Sequence, residues 1–195
     1  MEIRGLECIN KYPPAQNGIH NPYLRPMLDK SIYPAAPQYY HYYFDLVETN
    51  NLSAELAKNA AEVADYIRLT TQEKWNHAYA EGKWTVAQVI RHIIETERIF
   101  AYRAMRFSRL DATPLPGFDE NAYIANLNTT EFTVAQTLRE FQTVREASIS
   151  LFETMTPNML QFTGNANGLP VTAEMLGFMI VGHTKHHLNV ILERY

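Results

Sequence analysis

Three histidines fall within five positions in HTKHHLNVI, the stretch from His183 to Ile191. Neutral imidazole is the commonest side-chain metal ligand. His183 and His187 are spaced i, i+4, so on a helix they project from one face about one turn apart. This is the spacing by which a helix grips a divalent cation. Both fill seam positions in an apolar stripe that includes Leu176, Met179, Ile180, Val190 and Ile191. A polar ring on such a seam needs a partner, because burying it alone is costly. Gly182 precedes the pair. Glycine inside a helix costs about 0.5–1 kcal/mol relative to alanine, so it predicts a group that approaches closely there.

A catalytic metal site commonly takes three protein ligands and keeps an open position. The chain has seven histidines: His20, His41, His77, His92, His183, His186 and His187. Outside the terminal cluster, His92 is the one inside a core helix. It lies seven residues after Thr85, hence about 10 Å from the start of that helix at 1.5 Å per residue. His187 lies seven residues before Arg194, about the same distance from the end of its own helix. If the two helices are antiparallel neighbours, His92 and His187 share a level and His183 lies one turn deeper. Three imidazoles then converge. Such a set accepts zinc, nickel, iron or copper.

Two further residues border this constellation. His186 is off the seam by about a third of a turn; it could line a cavity, donate to a ligand or face solvent. Glu95 is about one turn after His92. It could orient a ligand imidazole, act as general base on a metal-bound water or join the metal. The plainer alternative is an ion pair with Arg91, Arg98 or Lys185.

Four long amphipathic helices must position these groups. The first is expected from about Leu52 to Leu69, with Leu56, Ala60, Val63 and Ile67 on one stripe. The second opens at Thr85, where Thr85 and Gln88 form a capping box and Trp84 and Val89 suit a hydrophobic staple; it ends near Leu110. The third opens at Thr133 and runs to about Met155. The fourth opens near Thr172 and runs to the end. The shared TVAQ at the second and third starts reads as repeated capping chemistry rather than an internal repeat. No alternating strand run of useful length is visible. The fold class is therefore all-α, a four-helix bundle. The link DATPLPGFDENAYIANLNTTE is long for a bundle, where roughly two to eight residues are usual, and permits a crossover between the second and third helices. Residues 1–36, rich in proline, read as an extended arm, and 37–195 as the bundle. The aromatic group Tyr39, Tyr40, Tyr42, Tyr43 and Phe44 reads as packing that seals a bundle end, with walling of a cleft as the other option.

Composition excludes several classes. The chain is 46% hydrophobic with a formal charge of -4, and it lacks the clustered cations that nucleic-acid binding requires. One cysteine, Cys8, precludes an internal disulfide and a thiolate-rich metal site. No segment has the roughly 20 apolar residues of a membrane span and no signal-peptide run is visible, so a cytoplasmic location is expected. There is no GxSxG, no Cys–His pair and no phosphate loop.

Three stretches carry a family resemblance: GKWTVAQVIRHIIETERIFAYRAMRFSRLD (Gly82 to Asp111), LPGFDENAY (Leu115 to Tyr123) and GHTKHHLNVILERY (Gly182 to Tyr195). With them the chain from about Tyr39 resembles the DinB-like (DinB/YfiT) superfamily of four-helix metalloproteins. The resemblance implies a bundle with a long crossover between helices 2 and 3. It also implies a divalent metal held by three histidines, here His92, His183 and His187. Homodimers are common in that family. Its activities include S-transfer with a low-molecular-weight thiol, and metal-dependent hydrolysis has been proposed. The N-terminal arm departs from the family pattern.

The function expected is that of a divalent-metal-dependent enzyme of hydrolase or thiol S-transferase type, using zinc, nickel or iron on a small-molecule substrate. The alternative is a non-catalytic metal- or small-ligand-binding protein connected with stress.

Overall fold

The computed structural model describes residues 30–127 and 132–195. Most of the proline-rich arm lies outside the described residues. Its last part, Lys30–Ala35, winds into a short 3-10 helix. Ile32, Tyr33 and Ala36 pack against the core, and His41 Nε2 lies 2.8 Å from the Tyr33 carbonyl oxygen. Eight helices and one hairpin follow among the described residues: α1 (Gln38–Phe44), α2 (Leu52–Leu69), α3 (Gln72–Trp75), α4 (Val86–Ser108), α5 (Glu120–Asn126), α6 (Val134–Glu153), α7 (Pro157–Gln161), β1 (Thr163–Ala166), β2 (Leu169–Thr172) and α8 (Ala173–Arg194). The chain is all-α in class. The four long helices α2, α4, α6 and α8 form the bundle. No described helix is long and apolar enough to cross a membrane.

Local chemistry sets the helix starts. Thr85 and Thr133 each form a reciprocal capping box with the glutamine three residues on. Asn51 accepts from the Ala54 N–H, and Thr172 from the Met175 N–H, through their side-chain oxygens. The bundle's connectivity follows from which residues meet. Tyr195, just past the end of α8, donates its hydroxyl to the Trp84 carbonyl, just before α4 begins, at 2.5 Å. A Cβ at Gly164, ahead of α8, would strike Phe107 near the end of α4. Hence α4 and α8 are antiparallel. In contrast, α6 runs parallel to α4: Arg91 pairs with Glu140, and Glu97 with Arg145. The link between them returns the chain along the length of α4, as a crossover must.

Backbone carbonyls and N–H groups of that link are held near the hairpin. Leu115 donates its N–H to the Asn165 carbonyl at 2.9 Å and accepts from Asn167 N–H at 2.8 Å, bridging to the hairpin. Arg103 donates to the Pro116 carbonyl at 2.6 Å. Beyond this point Ile124 of α5 is buried. The hairpin β1–β2 adds one short antiparallel pair to the helical fold. It pairs Thr163 with Thr172 through Ala166 with Leu169, closed by Asn167 and Gly168, both at positive φ. Its four-residue strands are too short to show alternation.

Among the described residues the interior has two apolar clusters. One gathers Leu52, Leu56, Phe100, Phe107, Phe152 and Phe178; the other gathers Val63, Ile67, Ile90, Ile94, Phe141 and Leu188. Between them in every bundle helix lies a polar residue: Asn59 in α2, Glu97 in α4, Arg145 in α6 and Thr184 in α8. The Arg145 guanidinium joins the other three. Its Nε and Nη2 donate to the two Glu97 carboxylate oxygens, each at 2.9 Å. Nη1 donates to Asn59 Oδ1 at 2.9 Å, and Nη2 to Thr184 Oγ1 at 3.3 Å. A buried ion pair of this kind is tolerable because its remaining donors are satisfied.

Candidate metal centre

The antiparallel pair α4 and α8 brings His92, His183 and His187 together. His183 Nε2 lies 3.0 Å from His92 Nε2 and 3.0 Å from His187 Nε2. All three candidate ligand atoms lie within 4.8 Å of one another. His92 and His183 are buried and His187 is half-buried. The convergence expected of an antiparallel α4 and α8 is present, while the ring of His92 lies about equally far from those of His183 and His187, 4.9 and 4.8 Å between centroids.

Burial keeps these rings neutral. It pushes His92 down to about 4, partly offset by the Glu120 carboxylate, with His186 adding to the fall. It pushes His187 down to about 3, helped by His92 and His186. His183 is driven well below its ordinary value by burial and then by His187, His92 and His186. A neutral imidazole offers one lone pair, and metal coordination needs that lone pair. His92 Nδ1 lies 3.4 Å from Thr96 Oγ1. A proton on Nδ1 is thereby given an acceptor, and the lone pair is left on Nε2. One ring nitrogen of His183 faces two others at hydrogen-bond distance, and a single proton there cannot serve both in line. The donor set therefore fits a divalent cation, and these three residues could hold one.

Around the triad the walls are aromatic. The Trp84 and His92 ring centroids are 5.1 Å apart. A Cβ at Gly182 would overlap the Tyr43 carbonyl oxygen, so the close approach predicted by this glycine is made by α1. That approach sets the Tyr43 ring 5.9 Å from His183 and 5.7 Å from His186. The aromatic run thus divides. Tyr40 and Phe44 seal the core, while Tyr42 and Tyr43 face the histidines of α8. Next to the triad a cavity of about 260 Å³ is lined by residues including Trp84, Asn121, His186, His187 and Tyr195. Asn121 places the crossover helix α5 at this mouth.

The two bordering residues separate. His186 lines the cavity, with its Nδ1 3.0 Å from the Tyr42 hydroxyl. Glu95 is half-buried, and its carboxyl is raised by burial, with Arg91, Glu140 and Arg98 as its charged neighbours. That is the α4–α6 side of the bundle, and the group of clustered ligand atoms does not include it. The residue beside His92 is instead Thr96, at i+4 on the same face. Its spacing was a usable signal, outweighed by the more reactive carboxylate one position earlier.

Comparison with known proteins agrees with this geometry. The family model described as the DinB superfamily matches residues 55–191. A protein of Oceanobacillus iheyensis whose name reads "putative metal-dependent hydrolase" is 22% identical over 129 residues, 65% of this chain and 73% of its own length. Among solved structures, YfiT from Bacillus subtilis superposes with a TM-score of 0.65 at 20% identity, covering 73% of this chain and 82% of its own. It is described as a "probable metal-dependent hydrolase with an unusual four-helix bundle topology". The fold is shared with it. With a family match over well more than half its length, the chain belongs to the DinB superfamily.

Proposed function

We propose that this protein is a divalent-metal-dependent hydrolase of small molecules, with its ion held by His92, His183 and His187. The observation that supports this most is the convergence of three neutral imidazoles through Nε2, with His183 Nε2 3.0 Å from each of the other two. The names of two similar proteins point the same way. Zinc, nickel and ferrous iron all suit three imidazoles. A cation held by these residues would supply Lewis acidity and a means of activating water near neutral pH.

The chain's own residues have separate tasks. Thr96 keeps His92 oriented with its Nε2 lone pair turned to the centre. The ring of Trp84 shields His92, and the Tyr43 ring covers His183 from the opposite helix. The cavity bounded by His187, Asn121 and Tyr195 admits a small substrate next to the ligand set.

The test is a hydrolysis screen of activated esters, amides and lactones, run on protein loaded with zinc, nickel or ferrous iron. Turnover that needs the metal and disappears in His183→Ala is the expected result. Full activity in that variant would sink the proposal. Activity that arises only with an added low-molecular-weight thiol would move the assignment to S-transfer at the same centre.

A further inference from the structure

His186 is not needed for the triad, yet it sits in the wall of the same cavity. Its ring is held on three sides. The centroid of the Tyr42 ring is 5.4 Å away, that of Tyr43 5.7 Å and that of His187 4.8 Å. Nδ1 meets the Tyr42 hydroxyl at 3.0 Å. Nε2 has no hydrogen-bond partner among the described residues. Of the two groups in the Tyr42 pair, the imidazole nitrogen is the more basic and the phenol the better donor. The favoured arrangement has Tyr42 O–H donating to Nδ1. With Nδ1 accepting, the ring N–H is at Nε2.

We propose that His186 is a fixed hydrogen-bond donor of this site, presenting Nε2–H to a carbonyl or carboxylate oxygen of a substrate lodged beside His187. Tyr42 is its positioning residue. The inference rests on the metal-hydrolase reading. An oxygen held by Nε2–H would be oriented and polarised beside the three imidazoles that would hold the ion. This is the kind of preorganised donor that stabilises developing negative charge. The assignment also accounts for the placement of α1. Gly182 lets the Tyr43 backbone press against α8, and this contact delivers the neighbouring Tyr42 to His186.

The experiment uses the full chain in three forms: wild type, Tyr42→Phe and His186→Phe. Tyr42 is 54% exposed, so loss of its hydroxyl leaves the core intact. Nitrogen NMR of ¹⁵N-histidine-labelled protein reads the tautomer directly. His186 is expected to show an unprotonated Nδ1 and a protonated Nε2 in the wild type, and a mixture of tautomers in Tyr42→Phe. Zinc-loaded protein is then titrated with acetate as the carboxylate probe. Loss of one hydrogen bond predicts about five- to tenfold weaker acetate binding in His186→Phe, and a smaller loss in Tyr42→Phe. All three forms should hold zinc equally. A proton on Nδ1 in the wild type overturns the inference, as does unchanged acetate affinity in His186→Phe with zinc bound. Failure of the wild type to take up zinc would instead remove the metal-hydrolase reading on which the inference stands.

Discussion

Thr184, next in sequence to His183, accepts a hydrogen bond from Arg145 at 3.3 Å. The same guanidinium is clamped by Glu97, five residues after His92 on α4. One buried cation therefore braces both helices that carry the triad. The polar layer of the bundle and the candidate metal centre are adjoining parts of one arrangement.

Breaking that brace should be expensive. Both Arg145 and Glu97 side chains are 1% exposed, so Arg145→Met leaves a buried carboxylate without its partner. A loss of about 3–5 kcal/mol in urea unfolding is expected. The double variant Arg145→Met, Glu97→Met should recover much of it, since no buried charge is left uncompensated. A single variant as stable as the wild type would show that the pair does not hold the helices.

Gly182→Ala has a different signature. In an open helix this change is favourable by about 0.5–1 kcal/mol. Here the added methyl meets the Tyr43 carbonyl, backbone that cannot rotate away. Overpacking of about 1–3 kcal/mol should outweigh the helix gain, and Tyr42 should part from His186. The checks are the unfolding midpoint and the His186 nitrogen shifts. A more stable variant would contradict the close contact of α1 with α8.

Acid should destabilise the metal-free protein early. His92 and His187 have folded-state values of about 4 and about 3, each depressed first by burial, against about 6.5 when unfolded. Above pH 6.5 both states are neutral at these rings. Below it the unfolded chain takes up protons that the folded chain refuses, so stability falls as pH drops from 6.5 towards 3. His92 alone contributes a loss on the order of 3 kcal/mol. Denaturant titrations at several pH values, compared with His92→Phe and His187→Phe, would measure it. An equal acid slope in the variants would exclude these rings as its source.

Metal should act as a ligand of the folded state. Free zinc at a hundred times its dissociation constant stabilises by about 2.7 kcal/mol. The melting temperature should rise with zinc and fall back with chelator, and neither effect should survive His183→Ala. Chelator-insensitive melting of a metal-loaded wild type would count against a bound ion.

Much of this arrangement could be read before the fold was seen. The capping boxes at Thr85 and Thr133 mark their helix starts because the signal is local: two side chains and two backbone N–H groups within four residues. The convergence of His92, His183 and His187 was legible because all three interrupt apolar seams. What depends on distant partners was not. Glu95 and Thr96 both lie near His92 in sequence, and only the packing of α6, with Arg91 and Glu140, decides that the carboxylate turns away. The helix α1 is short and built of tyrosines, with no periodic stripe long enough to identify it. Gly182 announced a close neighbour without naming it, since Tyr43 lies far away in the chain. The hairpin at 163–172 is four residues deep and made by pairing, not by pattern.

The measurement that bears most directly on the central claim is metal content per chain. Tag-free wild type and the His183→Ala, His187→Ala variant would be loaded with zinc, nickel or ferrous iron, desalted and analysed by elemental mass spectrometry. Close to one ion per chain in the wild type, and none in a variant that remains folded, is the predicted result. A wild type that retains no metal, or a variant that retains as much, would contradict the assignment of these histidines as its ligands.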